Sequence, residues 1–275
     1  MTKQPLTESS TLPDGVRYSE LDRLFLLGMR YLSWSIEFHD RVSSVDPRIA
    51  ALIYSGTATG VRAVLTGFRK LVPTKYTDAD PYKSFSADPN NIRKTTGEPF
   101  SKRRGWVVDG NWDRQGQKFM DRVCPKAIKQ HTINGLEWDE TILADHYTGE
   151  KYQRRRERIE NIYNSIRAEG YQSQRELLSQ NPDTAWNGLN DAMHPLANEI
   201  AVDIGRNGEL LWNMCGQHRL AIAKVLEVDE VYVQVFRRHA EWQEIREKAR
   251  MGSEVPPGVR NHPDLRDIKN DDAHL

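Results

Sequence analysis

The sequence predicts an α+β fold, a small mixed sheet with packed helices preceded by a helical N-terminal extension. Three observations predict it. Residues 199–214 read as a hairpin, an apolar helix follows from about residue 217, and Val231 to Phe236 reads as a short strand. Ahead of them, Leu21, Leu24, Phe25, Gly28, Tyr31, Leu32 and Ile36 recur at helical steps and make one apolar stripe.

Taken in order, residues 1–18 are polar and read as disordered, and residues 19–72 as a helical extension. Its second helix runs from Pro47 to about Leu71, with proline acceptable in the first turn and Ser44 or Asp46 available as caps. This extension packs on the main domain or on a second copy of the chain. Residues 73–104, rich in Pro, Asp, Asn, Ser and Lys, show no sustained period and read as a connector. Residues 105–250 form the main domain. In it, Gly105 to Asp109 is a strand and residues 115–130 and 151–168 are helices. The helix between the hairpin and the last strand must be about ten residues long, in a short βαβ step over residues 210–236. Residues 251–275, with Pro256, Pro257, Gly258, Pro263 and several aspartates, read as a disordered tail.

Composition narrows the function classes. The chain has 275 residues, 38% of them hydrophobic and 28% charged, with a formal net charge of zero. A balanced charge gives no global attraction to nucleic acid or to an anionic membrane. Only Cys124 and Cys215 are present, which excludes a disulfide framework or a cysteine-rich zinc site and makes a reducing cytoplasm the expectation. Neither cysteine is expected to be a nucleophile. The uncharged run Ile49 to Val61 is too short and too rich in Gly, Ser and Thr to span a bilayer.

The strongest chemical signal is Gly216-Gln217-His218-Arg219, where a strand turns into an apolar helix. The first N–H groups of a helix lack intrahelical partners and sit at the positive end of its dipole, so such a junction suits an anion. Arg219 could add a planar fork for phosphate, and His218 a hydrogen bond. His239, just past the last strand, is a candidate for the pocket wall. Asp109 and Asp113 flank a turn and are candidate oxygen ligands for a divalent cation, although both are ordinary turn residues. On a helix, Arg154, Arg155 and Arg158 would share a face and could track a nucleic-acid backbone, or simply form a solvated surface. Trp106, Trp112 and Trp138 are either core residues or stacking platforms for a base.

The order of segments resembles the ParB N-terminal/sulfiredoxin superfamily over residues 151–246. The helix Glu157 to Gly170 ends in Ser-Ile-Arg-Ala-Glu-Gly. Asn198 to Ile204 and Gly208 to Leu211 form the hairpin, and Gly-Gln-His-Arg and Val231 to Val235 follow. The resemblance implies that Gly216 to Arg219 contacts the phosphates of a nucleotide, ATP, CTP or another, with Mg2+. Gln217 stands where sulfiredoxins carry their attacking cysteine, so that chemistry is not carried over. Residues 237–244 lack the Glu-Asn-x-x-Arg segment of partition ParB proteins, and no helix-turn-helix pattern is read after Trp242. The expected function is therefore binding of a nucleotide or phosphorylated small molecule, with phosphotransferase or hydrolase activity open. The alternatives are a DNA-binding or nuclease-like protein and a non-catalytic domain that keeps only the fold. Self-association through residues 19–72 is a further expectation.

Overall fold

The computed structural model describes residues 47–71, 74–97, 104–187 and 194–271, all within one compact unit. The expectations for residues 1–18 and for the first helix of the extension lie outside these residues. The described residues form a mixed six-stranded sheet with nine α-helices, an α+β fold as the sequence predicts.

The sheet is organised around its longest strand. Counting along the chain, the strands are β1 (Ser84–Ala87), β2 (Lys94–Thr95), β3 (Trp106–Val108), β4 (Ile200–Ile204), β5 (Leu210–Trp212) and β6 (Val231–His239). One edge of β6 carries β1, antiparallel, and then β3, parallel, end to end. The other edge carries β4, parallel, with Ile200 opposite Val233. β5 returns antiparallel to β4, which is the hairpin read from the sequence, and β2 runs parallel to β5 at the far edge. The short helix after the hairpin, α7 (Gln217–Val225), has nine residues, close to the expected ten. It does not complete a parallel βαβ unit, however, because β5 is antiparallel to β4 and β4 is parallel to β6, so β5 and β6 run in opposite directions.

Alternation along the strands sets two faces. Ile200, Val202, Ile204, Val231, Val233 and Val235 point into the main core. They meet buried residues of α7 and of α2 (Val123–Thr132) and α4 (Gly149–Glu169), among them Leu220, Ile222, Ile128 and Ile159. Helix α3 (Ile142–His146) closes the same core with Leu143. Tyr152, Ile159 and Ile166, seven residues apart, form the buried seam of α4. Trp112 and Trp138, and Trp106 on β3, are all under a tenth exposed, so the base-stacking reading does not fit them.

The expected second helix of the extension is present as α1 (Pro47–Leu71). Its buried stripe, Ala58, Val61 and Leu65, is extended by the half-buried Tyr54 and Phe68 at steps of three and four. It packs on the same chain. A Cβ on Gly105 would lie 2.9 Å from Leu65, and the Phe68 ring is 5.8 Å from Tyr76.

Two expectations need correction. Residues 73–104 are not merely a connector, since they supply β1 and β2. Strands of four and two residues carry no period of their own and exist through pairing with β6 and β5. Residues 251–271 are not a disordered tail. Pro257 and Pro263 each open a 3-10 turn, α9 (Arg266–Asp271) follows, and Asp264 and Leu265 are buried. Asp264 accepts hydrogen bonds from Arg238 Nη2 at 2.5 Å and from Trp242 Nε1 at 2.9 Å, the latter on α8 (Ala240–Arg250). These bonds tie the last segment to the core. No described helix is long and apolar enough to cross a membrane.

Candidate anion-binding site

The chain leaves β5 through a strained turn. Met214 and Gly216 both have left-handed backbone, with φ of 57° and 73°. For methionine this conformation is uncommon and costs energy, of order 1–3 kcal/mol, so the surrounding structure must enforce it. Gly216 is required on a second ground, because a Cβ there would lie 2.6 Å from Ile200 Cα. Gly216 is the N-cap of α7 and offers no side chain to the first-turn N–H groups. The helix start is thus built as the sequence predicts. Gln217 opens it and is half-buried.

His218 lies in the first turn, half-buried as a residue, with its ring Nε2 buried and without a hydrogen-bond partner. Burial, and then the neighbouring Arg158 and Arg155 guanidiniums, push its pKa down to about 3. The basic run on α4 therefore converges on the start of α7. One side of that run, Arg155, donates to Cys124 Sγ at 3.6 Å and lies over the Tyr147 ring at 4.4 Å. Cys124 is buried, which pushes its thiol pKa up, while Arg155 and Arg122 act in the opposite direction. Among the described residues no carboxylate acts on this imidazole or this thiol, and two guanidiniums act on each, beside a helix N-terminus.

The three arginines do not share a solvent-facing track as expected. Arg154 is exposed and 3.9 Å from Glu150, whereas Arg155 and Arg158 are half-buried, Arg155 against Cys124 and Tyr147. The seam of α4 accounts for Arg155, which lies beside Tyr152 and Ile159 on the helix, while 154 lies on the far side.

Arg219 also departs from expectation. Its guanidinium is buried and pairs with Glu199 at 3.1 Å, donates to the Gln172 carbonyl and lies over Tyr171 at 4.7 Å. Glu199 in turn accepts from Gln174 N at 2.7 Å. The fork that would hold a phosphate is instead used to tie α7 to the segment before α5 (Gln174–Gln180) and to the start of β4.

His239 is not part of the cradle. Gly216 packs at Ile200, level with Val233, while His239 ends β6 six residues on, about 20 Å away at the usual strand rise. Its Nδ1 caps α8 and its Nε2 lies 2.9 Å from Gly110 O. Asp113 is in that region too, but its carboxylate is held by Arg206 at 2.7 Å, and this contact lowers its pKa against the opposing effect of burial. Asp109 points outward, 84% exposed. The two aspartates thus do not join as a ligand pair, and no group of three or more metal-ligating side chains occurs among the described residues.

Sequence reasoning missed one cluster altogether. Arg104, next to β3, places its guanidinium 4.2 Å from the Phe236 ring and 4.9 Å from the Tyr82 ring. The signal for it was slight, a basic residue before a Gly-Trp strand. No protein-family model, curated protein or solved structure matches the chain.

Proposed function

We propose that the start of α7 binds the phosphate group of a nucleotide or phosphorylated small molecule. The observation that carries this reading is the convergence of Arg155, Arg158 and the unpartnered His218 Nε2 on an uncapped helix N-terminus. Guanidiniums, an imidazole and backbone N–H groups form a donor set for phosphate oxygens rather than for a cation. A bound anion would offset the desolvated charge and give Nε2 a partner. The resemblance of residues 151–246 to the ParB/sulfiredoxin superfamily points to the same turn, with Arg155 and Arg158 in the role first expected of Arg219.

Binding is better supported than hydrolysis or phosphoryl transfer. A histidine with a pKa of about 3 is a weak general base near neutrality. The aspartates expected to hold Mg2+ lie at the other end of β6, so a magnesium ion would arrive with a nucleotide. The test is a thermal-shift panel of inorganic phosphate, nucleoside mono- and triphosphates and sugar phosphates, with and without magnesium. At least one phosphate compound should raise the melting temperature of the wild type, and Arg155→Ala should lose that rise. A panel in which nothing shifts the wild type, or in which both proteins shift equally, would remove this reading.

A further inference from the structure

On the other face of the sheet, Arg104 has no carboxylate partner among the described residues. Its guanidinium lies between Phe236 and Tyr82, and its Nη1 is buried without a hydrogen-bond partner. The groups that act on its charge are Tyr54, Tyr82 and Cys215, none of them a carboxylate. Tyr54, on α1, feels Arg104, Arg62 and Arg175 together, and its ring stacks on His194 at 4.6 Å. Among the described residues, only Arg62 of these has an acid partner, Asp80 at 3.0 Å. Gln234, two residues from Phe236 and on the same face of β6, has a buried Oε1 that also lacks a partner. A buried charge without a counter-charge is costly, and an arginine wedged between two rings presents its donor edge in a fixed direction.

We infer that Arg104, placed against the Phe236 and Tyr82 rings beside α1, binds a small ligand through a phosphate or carboxylate group. This site is separate from the His218 cluster and does not depend on it. Helix α1 completes it by supplying Tyr54. Cys215, half-buried at its border, is a local reporter.

The experiment follows the rate at which iodoacetamide alkylates Cys215 in the full chain. Cys124 is buried and serves as the internal control. Rates are compared in chloride, phosphate and acetate at one ionic strength. In wild type and in Arg155→Ala, phosphate or acetate slows the alkylation. Arg104→Met, which keeps the stem and removes the charge, weakens that protection about tenfold or more, as expected for a lost charge-assisted contact. Arg104→Lys covers the case in which the methionine variant does not fold. It keeps the charge without the fork and gives intermediate protection. Slowing by phosphate alone identifies a phosphate ligand, and slowing by acetate a carboxylate. No slowing in wild type by either anion, or slowing that persists undiminished in the Arg104 variants, overturns the assignment.

Discussion

At the C-terminal end of β6, Arg238 and Arg246 are fully buried and each is paired with acids, although Arg238 Nη1 has no hydrogen-bond partner. Arg238 meets Asp264, and Arg246 meets Asp78 at 2.9 Å and Asp267 at 3.0 Å, while Lys83 reaches Asp267 at 2.6 Å. At the start of α7, Arg155 and Arg158 crowd His218, and no carboxylate acts on its ring. The first region solves burial of charge inside the protein. In the second, two guanidiniums and no described carboxylate act on the buried imidazole. The contrast separates arginines paired with buried acids from the arginines proposed to complete an anion site, and Arg219, paired with Glu199, belongs with the former.

The comparison is broken most severely by removing an acid from the compensated end. Asp264→Ala would leave Arg238 and Arg246 buried with too little counter-charge, at a cost of about 3–5 kcal/mol of stability. Chemical denaturation should show this loss. A change within experimental error would mean that the network is ornamental.

Arg219→Ala should cost somewhat less, about 1.5–3 kcal/mol, because Glu199 keeps its bonds from Gln174 N and from Tyr171 Oη at 3.2 Å. The same variant, once folded, should bind phosphate as the wild type does. A large loss of phosphate affinity without a loss of stability would return Arg219 to the cradle.

Acid should expose the difference between the two regions. Burial lowers the pKa of His218 to about 3 and of His262 to about 4, below the ordinary histidine value. The unfolded chain then binds more protons than the folded one between pH ~6.5 and those values. Stability is therefore full above pH ~6.5 and falls as the pH drops, by up to ~1.4 kcal/mol per unit for each histidine. Asp78 and Asp264, held well below the usual carboxylate range by their arginines despite burial, add a further loss below pH ~4. Saturating phosphate should lessen the histidine part, since an anion beside His218 favours its protonated form. Denaturation at pH 7, 5.5 and 4.5, with and without phosphate, reads both effects; identical slopes would argue against an anion at His218.

What the sequence revealed was local. The hairpin at 199–214, the helix starting at Gln217 and the α1 stripe each announce themselves by spacing within a few residues. β1 and β2 do not, because their strand character comes from partners far along the chain. The last segment looked disordered because its prolines and aspartates suggest solvent, yet Asp264 answers Arg238 and Arg246 in the interior. The arginine run on α4 was conspicuous, but its direction was misread. The buried seam at Tyr152 and Ile159 places position 155 on the inward side and leaves 158 at its margin. Arg104 has only a slight local signal, since its surroundings are assembled from α1, β6 and the segment before β1.

The smallest effect is expected at Arg154. Its pair with Glu150 is exposed on both sides, so Arg154→Ala should change stability by less than ~0.5 kcal/mol and leave phosphate binding alone.

The central claim is that the inward arginines of α4, and not the outward one, complete an anion site with His218. Isothermal titration calorimetry of inorganic phosphate, or of whichever phosphate compound binds most tightly, into wild type, Arg154→Ala, Arg155→Ala and Arg158→Ala tests it directly. The predicted result is wild-type affinity for Arg154→Ala and a loss of about tenfold to hundredfold for each of the other two. Equal affinity in all four proteins, or a loss confined to Arg154→Ala, would contradict it.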